Sequence, residues 1–462
     1  MNAPLKPFAR GPIVGWVLFD WAAQPFFTLL TTFIYAPYFV SAVASNPVQG
    51  QAIWGYATAA AGLVIAFCSP VLGAIADASG RRKPWIAAFG VVFVIATAIL
   101  WFGKPKDPST ILPVLIAMGF ATLAVEFATV FNNAMMPSLA PPHQLGRLSG
   151  IGWATGYVGG IFSLILMLGF LVADPKSGTT LIGLSPWFGL DPAMREGDRA
   201  AGPVTAIWFM LFVIPLFLFT PDQPKKLALG PAVRSGLATL ADSIRKLRQH
   251  RDAALFLFAN MIYADGLVAL FIFGGILAAS TFGWTTIEIG VFGVLLAISG
   301  TFGAVLGGFM DDRFGPKPVI MATLTMLLFA LSAMLAIYPD YIGPFPVAPP
   351  TPDDGLFASA AERAYLAAGL VVGFAAGPLQ ASSRSFLVRI APRDRITQFF
   401  GLFALTGRIT SFLGPLSVAA VTQIVGNQRA GISVLTLFFA TGLLVLAQVR
   451  PVAPERAPPA TL

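Results

Sequence analysis

The stretch Gly73-Ala-Ile-Ala-Asp77-Ala-Ser-Gly80-Arg81-Arg82-Lys83 is a short charged loop between two long apolar segments. It returns in a degraded form as Gly307-Gly-Phe-Met-Asp311, followed by Lys317. The offset between the two copies is constant at 234 residues. The chain therefore repeats one membrane module, with a charged loop at the same place in each copy. Such internal repetition is typical of secondary transporters.

The composition predicts an all-α polytopic membrane protein. The chain of 462 residues is 56% hydrophobic and 11% charged, whereas soluble domains are about 25% charged. Apolar runs of about 20 residues recur along it, which is the length that crosses the hydrocarbon layer as a helix. One cysteine, Cys68, excludes an internal disulfide, and only two histidines are present. We expect no metal and no cofactor, and the net charge of +8 reflects loop orientation rather than nucleic-acid binding.

Apolar windows and breakers predict twelve transmembrane helices. Lys and Arg stay on the cytoplasmic side of a membrane. If the N-terminus is cytoplasmic, 20 of these residues lie in cytoplasmic segments and 7 in outside loops, so both termini are predicted to be cytoplasmic. The predicted spans are 13–42, 52–76, 84–103, 111–137, 149–173, 203–221, 252–280, 288–310, 318–338, 364–390, 399–424 and 430–450.

The spans divide into two pseudo-symmetric six-helix bundles. We predict an N-terminal bundle at 1–221, a cytoplasmic linker at 222–251, a C-terminal bundle at 252–450 and a disordered cytoplasmic tail at 451–462. Within the linker, 237–250 is either an amphipathic helix on the membrane surface or an ordinary basic connection. The outside loops 174–202 and 339–363 are rich in Pro and Gly and are expected to be irregular.

The charged loop resembles the signature of the major facilitator superfamily, and this resemblance implies the fold of that superfamily. Asp77 lies where a helix ends and can pair with Arg81, with Arg82 or with a partner helix end. Such a latch can be made in one conformation and broken in another. The alternative is an ordinary positive-inside loop. Phe314 replaces Gly80 in the second copy, which predicts a weaker latch there. The gating residues are Gly73, Asp77, Gly80, Arg81, Arg82, Lys83, Asp311 and Lys317.

A second group of motifs resembles the vacuole-effluxer-like branch of that superfamily. These motifs occur in both halves, although Pro25 departs from the pattern of the branch. The resemblance implies efflux as the activity and amino acids as the substrate class. The motifs are Gly15-Trp-Val-Leu-Phe-Asp20-Trp-Ala22, Phe131-Asn-Asn-Ala134, Gly150-Ile-Gly-Trp-Ala-Thr-Gly-Tyr-Val-Gly-Gly160, Tyr263-Ala-Asp-Gly266, Gln380-Ala-Ser-Ser-Arg-Ser385 and Phe400 to Pro415.

Charged residues inside predicted spans mark candidate sites. A charge near the bilayer centre costs about 2.5–3.5 kcal/mol on insertion scales, so it is usually paired, hydrated or functional. Five qualify: Asp20, Glu126, Asp265, Arg384 and Arg408. The resemblance implies that the helices carrying the first four line a cavity, whereas Asp20 and Arg384 can equally be structural. Four polar side chains either bind substrate or join helices: Asn132, Asn133, Tyr263 and Gln380.

The sequence therefore predicts a secondary active transporter rather than an enzyme. We expect it to move a small polar solute, an amino acid or related metabolite, by alternating access, with proton coupling and in the direction of export. The alternatives are a lipid or lysophospholipid flippase and a transporter-like receptor that does not transport. The expected location is the inner (plasma) membrane of a bacterium, where the protein acts as a monomer and its partners are substrate, protons and lipid.

Overall fold

The structure, a computed structural model, describes residues 10–45, 47–174, 177–245, 251–284, 286–348, 356–410 and 413–450. It is mostly helical. The longer helices are α1 (Arg10–Pro25), α2 (Pro47–Ser79), α3 (Lys83–Ile99), α4 (Ile111–Met135), α5 (Leu145–Leu166), α6 (Ala201–Phe219), α7 (Leu229–Arg245), α8 (Arg251–Phe282), α9 (Thr286–Phe314), α10 (Pro316–Ala336), α11 (Ala360–Ile390), α12 (Ile396–Ile409), α13 (Leu413–Val425), α14 (Gln428–Ser433) and α15 (Leu435–Ala447).

Shorter pieces complete several of these helices. Two short α-helices cover Tyr35–Tyr38 and Glu196–Arg199. The π-helices cover Phe26–Phe33, Phe39–Val43 and Met167–Leu171. The 3₁₀-helices cover Leu100–Phe102, Pro108–Thr110, Met136–Ser138, Pro142–Gln144, Trp187–Gly189 and Arg393–Arg395.

Within the described residues, 11 helical segments are long and apolar enough to cross a membrane. A helix satisfies its own backbone groups in hydrocarbon, which explains why these apolar runs are helical. They match eleven of the twelve predicted spans. The remaining prediction, 399–424, falls on α12 and α13, which lie on either side of residues outside the described part. The predicted tail at 451–462 also lies outside it.

The first span changes its helical geometry after Pro25. Proline has no N–H, so it cannot donate to the carbonyl of Trp21, four residues earlier. The indole Nε1 of Trp208 donates to that carbonyl at 3.0 Å, and the two indole rings stack with centroids 5.6 Å apart. Directly after Pro25 the chain continues as the wider π-helix Phe26–Phe33. A proline that is unusual for the sequence pattern therefore marks a local widening of the helix.

The loops 174–202 and 339–363 contain more regular structure than the sequence suggested. The prediction of an irregular 339–363 loop was wrong for its first part. Strands β1 (Ile337–Tyr338), β2 (Tyr341–Ile342) and β3 (Phe345–Pro346) form an antiparallel sheet in which Tyr338 pairs with Tyr341 and Ile342 with Phe345. In the 174–202 loop, Ala173 and Thr180 form an antiparallel bridge. Backbone pairing at these turns is too short to leave a recognisable alternating pattern.

The linker contains a helix that starts earlier than predicted. Helix α7 begins at Leu229 rather than near residue 237, and 246–250 lie outside the described residues. Its small residues Ala232 and Gly236 are buried. A Cβ on Gly236 would lie 2.8 Å from the backbone nitrogen of Ile75, so α7 packs directly on the end of α2.

The chain divides into two compact units that do not follow the sequence halves at every point. Unit 1 comprises Met1–Leu139, Thr155–Leu240 and Asp394–Leu405, and unit 2 comprises Ala140–Ala154, Ala241–Arg393 and Thr406–Leu462. Helix α5 therefore starts in unit 2 and continues in unit 1, and α12 starts in unit 1. Inside unit 2, α9 and α11 pack closely at Gly303, where the absence of a side chain leaves room for the carbonyl of Phe374. A Cβ at this position would overlap that carbonyl.

Candidate functional site

In unit 1, the carboxylate of Asp77 joins the end of α2 to the start of α12. One oxygen accepts from the Arg82 guanidinium at 3.2 Å and from the hydroxyl of Thr397. The other oxygen accepts from the backbone N–H of Gln398 at 2.9 Å. A helix N-terminus carries free N–H groups and a partial positive charge, so it suits a carboxylate. The sequence predicted Arg81, Arg82 or a partner helix end as partners of Asp77, and Asp77 contacts Arg82 and the start of α12. The gating role of this latch stays a prediction.

The glycines of this loop allow that approach. A Cβ on Gly73 would lie 2.5 Å from the Thr397 carbonyl oxygen, so a larger residue would separate α2 from α12. Gly80 has φ +85°, a conformation that favours glycine, and it packs against Pro224. Burial lowers the pKa of Arg82, and Asp77 opposes this effect. Arg81, in contrast, is exposed and forms no part of the latch.

The second charged loop forms a different latch in unit 2. Asp311, fully buried, accepts from the Arg389 guanidinium at 2.8 Å and from the hydroxyl of Ser385, both on α11. Its neighbour Asp312 accepts from the backbone N–H of Gly146, in the first turn of α5, at 2.9 Å. In unit 2, one carboxylate binds an arginine and the next one binds a helix N-terminus, whereas Asp77 binds both in unit 1. In this copy the glycine with positive φ is Gly315, at +87°.

Lys317, the last residue of the second loop motif, binds the end of the chain's final helix. Its ammonium donates to the carbonyls of Ala447, at 2.8 Å, and Val449, at 2.5 Å. A cation near a helix C-terminus is favourable because the last carbonyls have no helical donors. Lys83 behaves in the same way in the first copy, since its ammonium donates to the Phe217 carbonyl near the end of α6 at 3.0 Å.

Arg384 lies against the start of α5. Its Nε donates to the hydroxyl of Ser149 at 2.8 Å, and one terminal nitrogen donates to the Ser149 carbonyl at 2.7 Å. The Ser149 hydroxyl in turn donates to the Ala381 carbonyl. The guanidinium also lies 5.9 Å from the Trp153 ring centre. Of the two roles that the sequence left open, these contacts favour the structural one.

The other candidates of unit 2 lie on α8 and α11. Asp265 is 2% exposed, and the polar side chain beside it is Thr410. Two residues earlier, the Tyr263 hydroxyl lies 2.6 Å from that of Ser383. Gln380 is half-buried, and its amide nitrogen donates to the Ala376 carbonyl at 3.1 Å. The side chain of Arg408 lies outside the described residues.

In unit 1, Asp20 belongs to a polar strip along the first span, formed with Gln24 and Thr28. Residues four apart lie on one face of a helix. All three side chains are half-buried. The strip faces Gly156 and Gly160 of α5: a Cβ on Gly156 would lie 3.3 Å from Gln24 Oε1, and one on Gly160 would lie 2.6 Å from Thr28 Oγ1.

The remaining candidates of unit 1 lie on α4. Glu126 and Asn133 are half-buried. Asn132 is fully buried, and its side-chain amide has no hydrogen-bond partner among the described residues. The backbone carbonyl of Asn132 accepts from the indole N–H of Trp16, one turn before Asp20, at 2.7 Å. An unsatisfied buried amide is costly, which makes Asn132 the candidate with the clearest unused binding capacity.

The glycines beside the strip allow a direct test of its packing. We expect Gly160→Ala to lower the free energy of unfolding by about 1–3 kcal/mol, because the added methyl overlaps Thr28. The matched control is Gly119→Ala on α4, where a Cβ would meet nothing within 4 Å. That change is expected to raise stability by about 0.5–1 kcal/mol, since alanine is the better helix former. Denaturation of both variants in mixed micelles checks the prediction, and equal effects would contradict it.

Several residues that complete these arrangements carried no recognisable sequence signal. Thr397, Ser385 and Ser149 are small hydroxyl residues, which also occur as ordinary helix-packing groups. In the sequence, Arg389 is recognisable only as one of the basic residues near the end of a predicted span. Asp222 accepts from the backbone N–H groups of Arg82 and Lys83 at 2.9 and 3.2 Å, although it lies about 140 residues away in sequence. Its position directly after the sixth span was the signal that could have identified it.

Comparison with known proteins identifies the class. Two solved structures share the fold: the human organic anion transporter MFSD10 (TETRAN), with TM-score 0.68, 15% identity and coverage of 96% of this chain and 100% of that one, and FucP in the outward conformation, with TM-score 0.70, 14% identity and coverage of 96% and 99%. An uncharacterized MFS-type transporter of Bacillus subtilis (strain 168), YxiO, is 24% identical over 445 residues, 94% of each chain. The protein is a transporter of the major facilitator superfamily and not an enzyme.

The family follows from the sequence match. The family described as "Vacuole effluxer Atg22 like" matches residues 39–452, and this chain belongs to it. Autophagy-related protein 22 of Yarrowia lipolytica (strain CLIB 122 / E 150) is 24% identical over 364 residues, which cover 73% of this chain and 56% of that protein. The match thus spans little more than half the length of this fungal relative.

Proposed function

We propose that this protein exports a small polar solute, an amino acid or a related metabolite, by proton-coupled alternating access. The observation that carries the proposal is the carboxylate of Asp265, 2% exposed on a helix long and apolar enough to span the membrane. A charged carboxylate is costly there, and protonation removes that cost. Asp265 can therefore serve as a site where binding and release of one proton change the stability of the surrounding packing.

The substrate side of the proposal rests on the polar strip of unit 1. Asp20, Gln24 and Thr28 offer a carboxylate, an amide and a hydroxyl along one helix face. Together they suit a solute that carries an ammonium group and further hydrogen-bonding atoms. Asn132, near the start of the strip, adds a buried amide with no partner among the described residues. A carboxylate, an amide and a hydroxyl on one helix face match the groups of a polar solute better than the acyl chains of a lipid, so the strip favours a polar solute over a flippase substrate.

The two latches supply the elements that change between conformations. Asp77 holds the start of α12 in unit 1, and Asp312 with Arg384 holds the start of α5 in unit 2. A two-state element needs contacts that are strong in one state and broken in the other. The description of the family as effluxers supports the direction of export. We further propose cytoplasmic termini, a location in the plasma membrane of a bacterium, and a monomer as the working unit.

Transport into proteoliposomes tests this function. We would measure uptake of a pool of labelled amino acids by the full chain, with and without an imposed pH gradient, and repeat it with Asp265→Asn. Gradient-stimulated uptake is expected in the wild type. In the variant, stimulation should fall to the level without a gradient, because the amide cannot carry a proton. Asp340→Asn, at an exposed turn, is the control and should behave as the wild type.

The outcomes separate the parts of the proposal. Stimulated uptake that survives in Asp265→Asn would remove Asp265 from the coupling path and leave transport intact. Uptake that is insensitive to the gradient would contradict proton coupling. Binding of a labelled solute without net flux would indicate a receptor. An absence of uptake for every amino acid would contradict the proposed substrate class.

A further inference from the structure

A cavity of about 480 Å³ lies beside the first charged loop, between the start of α3 and the end of α6. Its polar lining comes from Arg81, Lys83, Asp222 and Gln223, and its apolar lining includes Pro84 and Phe217. All these residues belong to unit 1. The cavity lies outside the latch, because Asp77 and Thr397 do not line it. The cavity is therefore distinct from the contacts that Asp77 makes.

The three basic residues of the loop have different partners. Arg82 is buried and bonded to Asp77 and Thr397. Lys83 uses one ammonium hydrogen on the Phe217 carbonyl, which leaves two of its three donors for another ligand. Arg81 is exposed and has no ion pair or side-chain hydrogen bond with any residue that the structure describes. The cavity is thus lined by the Arg81 guanidinium and by the Lys83 ammonium, and both have N–H groups available for a ligand.

The one carboxylate in the cavity lining, that of Asp222, accepts three backbone hydrogen bonds. Asp222 accepts from the N–H groups of Arg82 at 2.9 Å, Lys83 at 3.2 Å and Gln223 at 2.9 Å. These three donors spread its negative charge, so Asp222 orders the loop rather than pairing with Arg81. The charged donors that remain for a ligand are therefore the cations Arg81 and Lys83, beside the neutral amide of Gln223, and together they suit an anion with several acceptor oxygens.

The apolar side of the cavity leads toward the lipid-facing surface. Phe217 lines the cavity, and the next two residues of α6, Leu218 and Phe219, are 68% and 54% exposed. Large apolar side chains at the end of a spanning helix face hydrocarbon or its boundary. A ligand in this place meets cations on one side and lipid-facing side chains on the other. Such a boundary is where a phospholipid carries its phosphate.

We propose that this cavity binds the phosphate of an anionic phospholipid, with Arg81 and Lys83 as the cationic ligands. The phosphodiester accepts hydrogen bonds from the guanidinium and the ammonium, and the glycerol and acyl part lies along Phe217 toward Leu218. Lys225, exposed next to the cavity residue Pro224, adds to the positive field. The site links lipid headgroups to the loop that carries Asp77, because Arg81 and the latch residue Arg82 are adjacent.

Binding by the purified full chain in a neutral detergent tests the proposal. Native mass spectrometry would give the affinities of phosphatidylglycerol and phosphatidylcholine, and a separate titration would use inorganic phosphate alone. We expect phosphatidylglycerol to bind, and Arg81→Gln to weaken its binding about fivefold, the effect of about one surface cation. The double variant Arg81→Gln/Lys83→Gln should lose about tenfold or more. Arg234→Gln, an exposed cation of α7 that does not line the cavity, is the matched control and should bind as the wild type.

The single variant keeps the test decisive, because Arg81 is exposed and its removal breaks no described contact. Unchanged phosphatidylglycerol affinity in both variants would overturn the proposal. Equal loss in Arg234→Gln would show a diffuse surface attraction and would overturn it as well. Phosphatidylcholine binding as tight as phosphatidylglycerol would contradict recognition of an anionic headgroup. Binding of inorganic phosphate without binding of either lipid would assign the cavity to a free phosphate compound instead.

Discussion

Asp311→Ala is expected to lower the free energy of unfolding by about 3–5 kcal/mol, the cost of breaking a buried ion pair from one side. Asp311 is fully buried, and the Arg389 side chain that it binds is 5% exposed. A terminal nitrogen of Arg389 binds Asp311, whereas its Nε has no hydrogen-bond partner among the described residues. Asp312 lies 3.9 Å from the same terminal nitrogen. Removal of Asp311 therefore leaves a buried cation whose remaining counter-charge, Asp312, makes a longer ion pair at 3.9 Å. Denaturation in mixed micelles measures the effect.

The adjacent carboxylate provides the control for this prediction. Asp312→Asn keeps an acceptor for the Gly146 N–H, so we expect a loss of only about 1 kcal/mol. The double variant Asp311→Ala/Arg389→Met removes both charges and should recover much of the stability, because a buried pair can be replaced by apolar groups at little cost. Equal losses in Asp311→Ala and Asp312→Asn would show that the buried pair does not support unit 2.

Asp77→Asn is expected to free the start of α12 and to make the amide hydrogen of Gln398 exchange about 100-fold faster, which corresponds to about 3 kcal/mol. Both oxygens of Asp77 accept hydrogen bonds, from Arg82 and Thr397 on one side and from Gln398 on the other. Asparagine replaces one of these acceptors with an NH₂ group that faces a donor. The neutral amide also loses the charge that favours a helix N-terminus.

Hydrogen exchange followed by mass spectrometry checks this prediction on peptides that contain Gln398. Asp107→Asn is the matched control, since Asp107 is a half-buried loop carboxylate whose partner is the nearby Ser109. Exchange at Gln398 should be unchanged in that variant. Protection of Gln398 that survives in Asp77→Asn would mean that the packing of α12 against Gly73, rather than the carboxylate, holds the helix start.

The two copies of the charged loop hold their carboxylates by two different sets of contacts. In unit 1 a single carboxylate binds both an arginine and a helix N-terminus. In unit 2 these two tasks are divided between Asp311, which binds Arg389, and Asp312, which binds the Gly146 N–H. The sequence predicted a weaker second latch because Phe314 replaces Gly80, and that remains a prediction. The structure meets the requirement for a positive φ one residue later, at Gly315.

Candidate residues inside the membrane were identified by type, and their partners were not. The cost of a charge in hydrocarbon made Asp265 and Arg384 conspicuous in the sequence. Nothing in the local sequence shows that Asp265 lies beside Thr410. Nor does it show that Arg384 binds Ser149, about 235 residues away in sequence. Gln24 and Thr28 were not selected, because single polar residues in a helix are common. Their alignment with Gly156 and Gly160 becomes visible only when the two helices are placed together.

The sequence by itself determined the class of the protein, the approximate ends of the eleven spans seen in the described residues, the repeat and the positions of the charged loops. These properties depend on hydrophobic length and on residue spacing, both of which are local. The tertiary structure decided which groups meet: Asp77 with the start of α12, Asp311 with Arg389, and Arg384 with Ser149. Such pairings depend on how distant helices pack, and a carboxylate is satisfied equally well by an arginine, a hydroxyl or a backbone N–H. Local sequence therefore predicts that these charges have partners, and only the packing of the helices selects them.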